Sequence, residues 1–157
     1  MFEIEKLPSY VLEIARSKGV DIDNIYLTAY CDMDKEHVFC DTYLIATDKS
    51  LYALSGSTGL VSKENRATGG LDNIFYERDF TEYSLSSVKD FKIEELLSGA
   101  RLTAKDEDGN YILISAMSNF CKGSALLFIK YLNKIKKGDI KDKDFNVEPE
   151  DDPKAHH

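Results

Sequence analysis

Long apolar runs are missing from this chain of 157 residues: the longest, Ala125 to Ile129, falls far below the ~20 residues that span a bilayer core. A transmembrane helix is excluded within it. Cysteine is scarce. Cys31, Cys40 and Cys121 are odd in number and form no CxxC pair, which matches reduced thiols in the cytoplasm better than a secreted disulfide framework. Positive charge is in deficit, with 20 basic against 28 acidic residues and a formal charge of -8. Phosphate backbones and anionic headgroups are repelled by such a balance, so neither nucleic acid nor an acidic membrane surface is an expected partner. Met1-Phe2-Glu3-Ile4-Glu5-Lys6 has no basic region followed by an apolar one, and no signal peptide is expected. Ser55-Gly56-Ser57-Thr58-Gly59 is glycine-rich but lacks the Gly-Lys-Ser/Thr ending of a phosphate loop, and no dinucleotide fingerprint occurs.

What the chain does contain is a series of short strand-like runs closed by one helical stretch. Ile25 to Cys31, Thr42 to Thr47, Leu51 to Ser55 and Ile74 to Phe80 carry strand signals, as do Asp90 to Glu94, Ala100 to Lys105 and Tyr111 to Ile114. These seven segments alternate apolar and polar residues or form short apolar runs between turn residues. Asp48-Lys49-Ser50 and Asp106-Glu107-Asp108-Gly109-Asn110 are hairpin turns by composition. Ser55 to Asp72, with Gly56, Gly59, Gly69 and Gly70, shows no periodicity and is expected to be the longest internal loop. Ser9 caps a short leading helix that stops at Gly19. In Ser118 to Lys137, Phe120, Ser124, Leu127, Phe128, Tyr131, Leu132 and Ile135 recur at helical spacing, Lys122, Lys130, Lys134 and Lys136 face water, and Gly138 ends the helix.

The expected fold is therefore a β-rich α+β domain over residues 1–138: a pleckstrin-homology-like roll of about seven antiparallel strands, capped by the C-terminal helix, with an extra N-terminal helix. Residues 139–157 are mostly Asp, Lys, Glu and Pro, with Ile140, Phe145 and Val147 as their main apolar members. That composition predicts a disordered acidic linker or tail, whose closing His156-His157 reads as native or as a tag remnant.

No catalytic motif stands out, and each candidate site has a plain competitor. Asp32-Met33-Asp34-Lys35-Glu36 opens like a calcium loop, but His37 stands where a glycine is needed and Tyr43 where a bidentate Glu belongs, so a solvated turn fits better. His37 between Cys31 and Cys40 offers metal or nucleophile chemistry without close pair spacing, and small core thiols compete with it. Phe75, Tyr76, Phe80 and Tyr83 crowd one strand and its exit and form a candidate partner-binding patch, against ordinary core packing. A lipid-headgroup site would need Lys and Arg after the first strand, where Asp32, Asp34 and Glu36 face only Lys35. No catalytic, cofactor or metal residue is assigned.

Several landmarks together resemble a known group. They are the Leu7-Pro8 start of the first helix, the strand ending Asp32-Met33-Asp34, Tyr43-Leu44-Ile45-Ala46-Thr47 with its Asp48-Lys49 turn, the Phe91 to Leu102 hairpin, and Ser118-Asn119-Phe120. From Leu7 to Lys137 the chain resembles the cytosolic pleckstrin-homology-like domain that precedes the membrane helices in exporter-type ABC transporters of Gram-positive bacteria. The resemblance implies a noncatalytic regulatory or protein-interaction domain on the cytosolic face of the membrane. Its partner would be another protein or the rest of its own transporter chain, with ATP hydrolysis in other segments. A free-standing adaptor that binds a peptide or protein is the alternative, and a small enzyme using His37 and Cys40 the third reading.

Overall fold

Pro8 caps the first helix, α1 (Ser9–Ser17): its φ is fixed near −60° and its ψ of 149° is extended, and its carbonyl accepts from the N–H groups of Val11 and Leu12, both at 3.0 Å. Ser9 is thus the first helical residue and not the cap. In this computed structural model, which describes residues 1–62 and 71–152, α1 follows a two-residue strand, β1 (Phe2–Glu3). Then come β2 (Leu27–Met33), β3 (Phe39–Ala46), β4 (Ser50–Ser62), β5 (Leu71–Ser84), β6 (Lys89–Leu96), β7 (Gly99–Lys105), β8 (Tyr111–Met117) and α2 (Asn119–Lys137). This is the β-rich α+β architecture expected, an open antiparallel sheet with two helices, of the pleckstrin-homology-like kind. No helix among the described residues is long and apolar enough to cross a membrane.

The sheet runs β5-β4-β3-β2-β8-β7-β6, with β1 added in parallel to β2. Side chains of β3 alternate between two cores: Leu44 and Ala46 face the larger one with α2, while Tyr43 and Ile45 face α1. Both faces are covered, which is why Tyr43-Leu44-Ile45-Ala46 is continuously apolar. Strands β2 and β8 share a single pair, Met33 and Ala116. The sheet splays open there, and α2 fills the gap with Cys121, Ala125, Phe128, Ile129, Leu132 and Ile135. Gly138, at φ 82°, ends α2 in the left-handed conformation that glycine adopts without a Cβ penalty.

Two further expectations need correction. Ser55 to Asp72 is not one long loop, since β4 continues to Ser62 and β5 begins at Leu71; residues 63–70, with Gly69 and Gly70, lie outside the described residues. Beyond Gly56, the last β4 residue paired with β3, the two strands run on as a ribbon, and its exposure removes the alternation that marks a half-buried strand. β1 is too short to leave a period in the sequence. Residues 139–152 are not a disordered tail: Ile140, Phe145 and Val147 pack against the larger core. Three apolar side chains suffice because the segment borrows a helix already in place. Residues 153–157, including His156-His157, lie outside the described residues.

The turn between β2 and β3 is closed by the Asp34 N–H to the Val38 carbonyl, 3.0 Å, and the His37 N–H to the Asp34 carbonyl, 3.1 Å. It requires φ 64° at His37, a conformation that crowds an ordinary Cβ. The variant His37→Gly is expected to gain about 1 kcal/mol, read as a rise of roughly 3 °C in thermal midpoint. A fall would show that the imidazole contributes more than its backbone costs.

Candidate functional site

The four aromatic residues singled out on β5 do not form one exposed patch. Phe75 and Tyr83 are buried in different clusters, Phe80 is half-buried and stacked on Tyr52 at 5.8 Å, and Tyr76 alone is exposed. An irregularity in β5, opposite Ser55 and Gly56, changes the phase of alternation so that Phe75 and Phe80 meet in one cluster on the α1 side, while Tyr83, three residues beyond Phe80, faces the larger core.

The acidic turn holds itself together. The Asp34 carboxylate accepts from the N–H groups of Glu36 and Val38 at 2.8 and 3.1 Å and lies 3.6 Å from Arg78. Asp32 turns toward α2, accepting from the Ser118 N–H at 2.8 Å and from the Ser118 hydroxyl. A carboxylate from β2 thereby occupies the positive end of the α2 dipole, where the helix has no side-chain cap of its own. The variant Asp32→Ala leaves these donors unpaired and is expected to lower stability by about 1–2 kcal/mol. Urea unfolding measures this, and an unchanged midpoint would count against the anchor. Cys31 is buried, and its thiol is pushed up to about 12, chiefly by desolvation. Burial also raises Cys40 and Cys121, so all three thiols are held protonated and poorly nucleophilic. No hydrogen bond joins His37 to Cys40 among the described residues.

The densest set of polar contacts lies where residues 139–152 return along α2 as a strap. The Asp139 N–H bonds the Lys134 carbonyl at 2.9 Å, reversing the chain. The Tyr26 hydroxyl then donates to the Lys141 carbonyl at 3.1 Å, and Lys143 to the Asp23 carbonyl at 2.6 Å. Phe145 stacks on Tyr131 at 5.7 Å, while Phe2 meets Tyr131 edge-on at 5.3 Å. The Tyr131 hydroxyl donates to Asp151 at 2.8 Å and accepts from the Glu148 N–H at 3.0 Å. Lys130 reaches Glu148 at 2.7 Å and Asp151 at 2.6 Å, and Lys134 reaches Glu148 at 2.7 Å. The two lysines stand one helical turn apart, so both ammonium groups serve one carboxylate.

This arrangement holds the chain's own residues 139–152 on α2 by an aromatic stack and two carboxylates. Beside it an open cleft of about 600 Å³, lined in part by Met1, Phe2, Lys6, Phe145 and Val147, remains between strap and β1. Glu148, Glu150 and Asp151 bring carboxylate oxygens within 4.8 Å of one another, but Glu148 and Asp151 already face the lysines. The sequence reading missed this site. It took Lys130 and Lys134 as a solvated face, although their spacing beside Tyr131, and Phe145 and Val147 ahead of Glu148, were visible signals.

Hydrogen bonds from Lys130, then Lys134, hold the Glu148 carboxyl down to about 2, and Lys130 lowers Asp151 as well. Both folded values lie below the unfolded ones. Their contribution is therefore complete above the ordinary carboxylate range and is lost as pH falls toward about 2. Cross-peaks between the Phe145 and Tyr131 rings in nuclear magnetic resonance spectra are expected at pH ~6 and should vanish on acidification through that window; a strap that loosened as pH rose would contradict the ion pairing.

Comparison of the chain with protein-family models, curated proteins and solved structures gave no match.

Proposed function

We propose that this chain is a noncatalytic regulatory or protein-interaction domain and that the face of α2 carrying Lys130, Tyr131 and Lys134 is its peptide-binding surface. One observation carries this reading: that face already holds an acidic segment, residues 139–152, which ends in a short 3-10 turn at Pro149–Asp151, by an aromatic stack and paired charges. A packed helix that presents an aromatic ring flanked by ammonium groups suits an acidic peptide with its own aromatic residue. The test uses the full chain with Phe145→Ala, Glu148→Gln and Asp151→Asn, which weakens the strap. A labelled peptide with the sequence of residues 139–152 is expected to bind saturably, and to lose binding when Lys130→Glu and Lys134→Glu are added. Absence of binding by a variant whose circular dichroism matches the parent would overturn the reading.

The sequence landmarks extend the proposal to a setting: the cytosolic part of an exporter-type ABC transporter of Gram-positive bacteria, in contact with another protein or the rest of its own chain. The reduced thiols agree with a cytosolic location. An antibody raised to this domain would test it in host cells. A membrane-bound polypeptide several times heavier than 17.8 kDa is expected, and a soluble band near that mass would remove the transporter part.

A further inference from the structure

We infer that residues 139–152 gate this surface, as an intramolecular occupant displaced by a partner segment of the same chemistry: an aromatic residue, an aliphatic residue and two carboxylates at the spacing of Phe145, Val147, Glu148 and Asp151. The inference rests on the reading of α2 as a peptide-binding face and adds its regulation and ligand class.

The two sides of the contact differ in how firmly they are held. On the α2 side, Phe128 and Leu132 are fully buried and Phe2 supports Tyr131 edge-on, so the helix that presents the ring is part of the core; with the strap in place the ring is 1% exposed. The strap lies outside it. Its Phe145 and Val147 are only partly buried, and the side chains of Lys130 and Glu148 are 37% and 39% exposed. Exposed ion pairs are screened by water and salt and hold a segment weakly. Opening of the strap alone breaks only these contacts and leaves the sheet and α2 packed.

Opening would leave two ammonium groups and an aromatic ring in water, a combination that selects its replacement. A basic segment is repelled by Lys130 and Lys134, and a purely aliphatic one leaves both cations unpaired. An acidic segment with an aromatic residue restores every contact the strap made. The open cleft beside the strap carries Lys6 but also Glu3 and Asp152, so selection for an acidic segment rests on Lys130 and Lys134.

A tethered occupant competes at a high effective concentration, on the order of millimolar for a short connection, so the intact chain should bind an external segment much more weakly than a chain with a loosened strap. Fluorescence anisotropy with the peptide of residues 139–152 compares the intact chain with the Phe145→Ala, Glu148→Gln, Asp151→Asn variant. At least tenfold tighter binding by the variant is expected. Equal affinities would overturn the gate and leave the binding surface standing, whereas no binding to either chain would remove the surface itself. A second measurement does not depend on the variant. Saturating the isotope-labelled intact chain with unlabelled peptide should move the Glu148 and Asp151 amide signals toward random-coil positions, and signals that stay put while the peptide binds would equally overturn the gate.

Discussion

Tyr131→Ala is expected to cost about 3–5 kcal/mol, as for other large rings removed from a core, and to release the strap at the same time. The ring is 1% exposed, supports Phe2 on one side and Phe145 on the other, and through its hydroxyl holds both Asp151 and the Glu148 N–H. Tyr131→Phe separates the two roles. It keeps the packing and removes only the hydroxyl, at about 1 kcal/mol, so it should loosen residues 139–152 while leaving the body of the fold intact. Urea unfolding reports the first effect and limited proteolysis within the strap the second. A urea midpoint for Tyr131→Ala equal to that of the parent would show that Tyr131 is not a support of the core. Protease resistance unchanged in both variants would detach the strap from it.

Gly56→Ala is expected to lose about 3 kcal/mol, at the upper end of what overpacking costs. A Cβ built there lies 2.3 Å from the Tyr76 carbonyl oxygen and 2.7 Å from Cζ of buried Phe75. Neither obstacle is free to move, because one is backbone between paired strands and the other a ring wedged against Tyr43 at 6.1 Å. Gly59→Ala is the control. There the nearest atom is Cε2 of the Tyr76 ring at 2.9 Å, and that ring is 53% exposed and can swing aside, so the loss should stay under about 1 kcal/mol. Equal losses at the two glycines would mean that the close backbone approach at Gly56 is not what demands glycine.

These glycines also explain why part of the fold was hard to read. In a sequence, glycine between serines and threonine reads as a loop. Here Gly56 sits at the β4–β5 irregularity and Gly59 beneath an aromatic ring, two places where strands need the missing side chain. The α2 boundaries were legible because the stripe from Phe128 to Ile135 repeats at helical spacing and Gly138 stops it. Similarly, β3, β7 and β8 showed themselves through local alternation or a short apolar run. The site was not legible in the same way. Lys130 and Lys134 look like any solvated helix face, and Phe145 and Val147 look too few to order an acidic segment, until the chain reversal at Gly138 brings them together.

Local periodicity, the deficit of positive charge and the thiol count determined a β-rich α+β domain closed by a helix, with no span apolar enough for a membrane helix. Each of these depends only on residues near one another in the chain, or on totals. Tertiary structure decided the rest: that Phe75 and Phe80 face α1 while Tyr83 enters the larger core, that Asp32 anchors the start of α2, and that an acidic segment lies ordered on Lys130, Tyr131 and Lys134. Such outcomes depend on contacts between residues far apart in sequence, whose strength is set by a surface that exists only once the helix has packed.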